Sequence, residues 1–162
     1  MVRIVLILLL IALQAVFGIP DYMTDGPYWQ RALTYSFFHA NWWHLAVNAI
    51  AAWTIFNPKY KLKPLQIVTV YLIAVAVYPL AFRPVIGFSN VLYALLGLRT
   101  PSLTSKWWKQ PSVILFLVIT VALVFIPQFS ATTHIAAFIL GMVCASLKRF
   151  YHELTKEAKR YL

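Results

Sequence analysis

Six apolar runs, Ile4 to Ile19, His44 to Phe56, Leu65 to Phe82, Val91 to Leu98, Val113 to Ile126 and Ala131 to Leu147, fill most of a 162-residue chain. A membrane span needs ~20 mostly apolar residues, so the length admits at most six or seven spans with short connections. Only 11% of residues are charged and 62% are hydrophobic. An average soluble domain is about 25% charged, and a soluble surface is therefore excluded. The chain reads as one all-α domain, residues 1–162, a polytopic membrane protein with six transmembrane helices. Its formal charge of +10 does not form a single patch, as nucleic-acid binding would require, but falls in clusters between apolar runs. With six spans, Arg3, Lys59, Lys61, Lys63, Arg99, Lys106, Lys109, Lys148, Arg149, Lys156, Lys159 and Arg160 share one side, and only Arg31 and Arg83 lie opposite. The positive-inside rule then puts both termini in the cytoplasm, with the plasma (inner) membrane as the expected location.

The first run follows Arg3 without a clear small-x-small cleavage site and is expected to remain as a helix. The connection from Asp21 to Trp43 is rich in Tyr, Trp and Phe, and is expected on or partly within the outer leaflet. Trp107 and Trp108 are expected to anchor the inner side. The tail from Lys148 is expected to continue the last helix beside anionic lipid. Cys144, the lone cysteine, allows no intrachain disulfide and reads as packing.

Polar side chains at bilayer depth are costly and mark function by default. His44 and Asn48, four apart, stack on one helix face. Ser89 begins a helical pattern that ends by Arg99, 10 steps or ~15 Å later, about half a bilayer core. Phe82 to Phe88 would then be irregular backbone inside the membrane, tolerated only when buried in protein or lining a wet cavity. Counted from the inner ends, Asn48 lies 10 steps up and His44 and His134 14 steps, ~21 Å. All four therefore lie in the outer half within about one turn of depth. A serine at a helix start, with two histidines and an asparagine beside it, has the parts for acyl transfer: nucleophile, base and oxyanion donors. No intramembrane carboxylate offers a third member, so the arrangement would be a dyad. Taken singly, Ser89 reads more readily as packing than as a nucleophile, His44 and Asn48 as a bridge between helices, and His134 as an interfacial histidine. The stripe His134, Ala137, Gly141 and Ala145, facing Ser89, Tyr93 and Gly97, would let two helices approach closely.

These residues resemble the rhomboid family of intramembrane serine proteases. The stretch Arg31 to His39 is similar to the end of that family's first loop, His44 to Asn48 to its His-x-x-x-Asn motif, and Gly87-Phe88-Ser89 to the first three positions of Gly-x-Ser-Gly. Tyr93 matches the tyrosine one turn later, and His134 to Gly141 is similar to the His-x-x-Gly-x-x-x-Gly helix. The resemblance implies cleavage of single-span membrane protein substrates without cofactor or metal. Ser89 would be the nucleophile and His134 the base and then the acid. His44, Asn48 and the Ser89 N–H would hold the oxyanion, and Tyr93 would pack on the imidazole. The sequence departs from the family at Asn90, in place of the glycine after the nucleophile, in the tight turn beside it. Gln30 replaces the tryptophan of a Trp-Arg pair, Ala137 replaces a glycine, and the glycine and glutamate motif is missing from Asn57 to Pro64. The alternative is a catalytically impaired pseudoprotease that binds transmembrane helices. A haem or metal protein using His44 and His134 ranks below both, because no haem-binding helix pair is visible. Oligomeric state has no signature in the chain.

Overall fold

The computed structural model describes residues 2–56, 63–81, 85–100, 114, 118 and 130–158. Among them there are helices and no strands. In chain order these are α1 (Val2–Phe17), α2 (Tyr22–Asp25), α3 (Tyr28–Thr34), α4 (Trp42–Ile55), α5 (Pro64–Val77), α6 (Ser89–Arg99) and α7 (Ala131–Ala158), with 3-10 turns at Tyr35–Phe37 and Tyr78–Leu80. Five of the six apolar runs are therefore helical. The remaining run, Val113 to Ile126, lies outside the described residues except for Ile114 and Val118, as do Lys59, Lys61, Arg83, Trp107 and Trp108.

Local chemistry sets the helix ends. Gly18, at φ +57°, closes α1 by donating its N–H to the Gln14 carbonyl at 3.1 Å, a left-handed cap that glycine adopts at little cost. Asn41 caps α4, its side-chain oxygen accepting the His44 N–H at 2.8 Å. Pro64 opens α5, where the missing N–H costs nothing, and Gln66 reaches back to accept the Lys63 N–H at 2.9 Å. By length and composition α7 alone among the described helices can cross a membrane, over Ala131–Lys156; the apolar helices Arg3–Phe17 and Pro64–Leu80 are shorter. It runs on into the tail as expected.

The short helix α6 is the hub. Asn90 through Gly97 are all buried, as befits a helix enclosed on every side. It packs most extensively on α7, then on α5 and α4. A side chain on Gly97 would overlap the Phe138 carbonyl, and one on Gly141 the Ala94 carbonyl, so the α6 and α7 backbones touch. Ala137, where the resemblance places glycine, is fully buried without separating them. At the other end of α6, Arg99 is 5% exposed and its guanidinium donates to the Ile55 carbonyl at the end of α4. A buried cation there satisfies an orphan carbonyl and opposes the negative end of the α4 dipole. On the far side of α4, the Arg3 guanidinium lies 3.7 Å from the Trp53 ring centroid.

The aromatic connection divides in two, which composition did not foretell. Tyr28, Trp29, Trp42 and Trp43 face outward, whereas Tyr35, Ser36, Phe38 and His39 turn into the core. Half of the segment expected at the leaflet is thus structural filling against α5 and α6. Tyr35 stacks on Tyr78 with centroids 4.9 Å apart, and the Tyr71 hydroxyl donates to the Leu33 carbonyl at 2.5 Å.

Candidate active site

Ser89 is the first residue of α6 and is half-buried, so its N–H is one of the first-turn donors that no helix satisfies internally. The tight contact between α6 and α7 brings the first turn of α7 alongside it. His134 Nε2 lies 2.6 Å from Ser89 Oγ. This is hydrogen-bond distance for proton transfer from a hydroxyl. The imidazole is 4% exposed, and the Tyr93 ring, one turn after Ser89, lies against it at 4.7 Å between centroids and 50° between planes. Packing therefore orients the base.

Gly87 brings the remaining two residues to the same place. Its φ of +129° is a backbone conformation that side chains rarely adopt. An added Cβ would lie 2.5 Å from His44 Cε1, 2.8 Å from its Nε2 and 3.5 Å from Asn48 Nδ2. Only glycine lets the segment entering Ser89 lie directly on these two side chains. Asn48 is 4% exposed and donates one amide hydrogen to the His44 carbonyl at 3.1 Å, leaving its second as a donor. The His44 imidazole is half-buried. All six residues singled out from the sequence, His44, Asn48, Gly87, Ser89, Tyr93 and His134, thus converge at one end of α6.

The structure adds residues that sequence reasoning did not single out. His39 is fully buried; its Nε2 accepts the Phe88 N–H at 3.4 Å, and its ring meets His44 edge-on at 5.3 Å. The His39 N–H in turn donates to Gln14 Oε1 at 3.2 Å, which connects α1 to the loop ahead of Ser89. A signal was available: Gln14 is the single polar side chain between Ile4 and Phe17. Its cost at that depth needs a partner.

The tight turn beside Ser89 accommodates Asn90. Among the described residues positive φ occurs only at Gly18 and Gly87, so position 90 is ordinary helix and does not require glycine. The Asn90 Nδ2 donates to the Tyr35 hydroxyl at 2.9 Å, and Ser89 keeps its contact with His134.

Comparison with known families identifies the family of the chain. The Rhomboid domain model matches residues 26–149, well over half of the chain, a span within which the six converging residues fall. The chain belongs to the rhomboid family, whose members are generally intramembrane serine proteases, and it is a membrane protein. No curated protein matches it at the level of individual sequences.

Proposed function

We propose that the protein is an intramembrane serine endopeptidase acting on single-span membrane proteins through a Ser89–His134 dyad. The observation that carries this reading is the 2.6 Å contact between Ser89 Oγ and His134 Nε2. In the acylation step Ser89 Oγ attacks the scissile carbonyl carbon as its proton passes to His134 Nε2. The new oxyanion is held by the Ser89 N–H, the second Asn48 amide hydrogen and the His44 ring. Collapse breaks the C–N bond, and His134 returns the proton to the leaving amine. Water then attacks the acyl-enzyme, giving its proton to His134, and Ser89 leaves with that proton restored. Tyr93 and the helix packing do the orienting that the carboxylate performs in triads.

The proposal extends to topology: six spans, with both termini cytoplasmic and the dyad in the outer half of the bilayer. The charge partition and the half-length of α6 support it. Labelling of the membrane-embedded protein with a fluorophosphonate probe tests the chemistry. Native protein should label, and Ser89→Ala and His134→Ala should each remove labelling while keeping the native melting temperature. Folded native protein that takes no label would refute the dyad and favour a pseudoprotease that binds transmembrane helices.

A further inference from the structure

Tyr35 grips the nucleophile segment from both sides. Its backbone carbonyl accepts the Gly87 N–H at 2.9 Å, two residues before Ser89, and its hydroxyl accepts the Asn90 amide at 2.9 Å, one residue after. The same hydroxyl donates to the Ala74 carbonyl of α5 at 2.7 Å. A phenol has one hydrogen to give, so the bond to Ala74 fixes the rotor and points a lone pair at Asn90. Tyr35 and Asn90 are both 0% exposed, and stacking on Tyr78 prevents the ring from swinging aside. In such a desolvated setting neither bond is exchanged for one to water.

We infer that Tyr35 and Asn90 are positioning residues for Ser89, a side-chain tie that fixes the first turn of α6 to α5 on the flank where the family resemblance leads one to expect a bare glycine. The inference rests on the proposed dyad. Neither residue touches a reacting atom. Without the tie, Gly87 still holds the turn on one side, but on the other the first turn of α6 loses its anchor to α5 and can shift Oγ relative to His134. A displacement approaching 1 Å lowers rates on the order of 10- to 100-fold.

The test places Ser89→Cys in a Cys144→Ser background and follows alkylation of the introduced thiol by iodoacetamide against pH, in membranes. A thiol paired with His134 reacts as thiolate at lower pH than an unpaired one, and His134→Ala in the same background supplies the unpaired profile. Asn90→Ala and Tyr35→Phe should each shift the profile toward that baseline, slowing alkylation at neutral pH roughly tenfold. The double variant should be no slower than either single one, as expected of two residues acting through one bond. Tyr35→Phe keeps the ring and its stacking, so it remains informative should Asn90→Ala fail to fold. Unchanged profiles with only a lower melting temperature would make the tie a packing contact and overturn the inference while leaving the dyad standing. If the thiol at position 89 matches the His134→Ala baseline even with the tie intact, the dyad itself is refuted and the positioning role with it.

Discussion

Gly18 and Gly87 both adopt left-handed backbone, yet they occupy opposite environments. Around Gly18, at the end of α1, nothing lies within 4 Å of where a Cβ would be; around Gly87 the His44 ring and the Asn48 amide fill that space. The first glycine answers only to torsion, and the second answers to torsion and to the site. Of these two left-handed glycines, one therefore marks the candidate site, where His44 and Asn48 take the space a side chain would fill, and the other marks a helix end, where that space is empty.

Substitutions can break this contrast, and their effects fall in a definite order. Gly87→Ala should be the most damaging, since Cβ collides with His44 and the turn must reopen; fluorophosphonate labelling should fall at least ~10²-fold. Residual labelling near the native rate would show that His44 can move aside freely. Asn48→Ala removes one proposed oxyanion donor without touching backbone geometry, and cleavage of a model transmembrane substrate should slow about 10²- to 10³-fold. An unchanged rate would take Asn48 out of the oxyanion site and leave it a helix-bridging residue. Asn90→Gly tests the converse, a glycine introduced where no positive φ demands one. It should destabilise the protein by roughly 1–3 kcal/mol, through the lost amide hydrogen bond and a freer chain, as read from thermal unfolding. A gain in stability would mean that the asparagine strains the turn. Gly18→Ala should matter least. Left-handed alanine costs about 1–2 kcal/mol of stability, and labelling at 25 °C should be unaffected; a loss of labelling would couple the α1 cap to the site through Gln14 and His39.

Much of the site was legible because membrane depth makes polar residues conspicuous. Ser89, His134, His44 and Asn48 stand out in apolar surroundings, and the limits of α6 follow from Ser89 at one end and Arg99-Thr100-Pro101 at the other. The close approach of α6 and α7 was equally readable from Gly97 and Gly141. Less could be read in the first loop, where aromatic composition is the same for a side chain facing lipid and one facing core; Tyr35 and Trp43 look alike until their contacts are known. His39 and Gln14 are 25 positions apart and meet only through tertiary packing. Asn90 was the instructive case. Resemblance pointed to a glycine there, but the torsion that would require one occurs three residues earlier, and torsion angles leave no direct trace in composition.

The buried Arg99 has a consequence for how bonds would be chosen. It fastens the C-terminal end of α6 to α4, while Tyr35 and Asn90 fasten the N-terminal end to α5. A rod pinned at both ends cannot piston along the membrane normal, so on the proposed reading Ser89 waits at a constant depth. The enzyme would then act as a ruler: the peptide bond cut is the one that a substrate's own length and immersion bring to that level, and lengthening or shortening a substrate helix by one turn should shift the cut correspondingly.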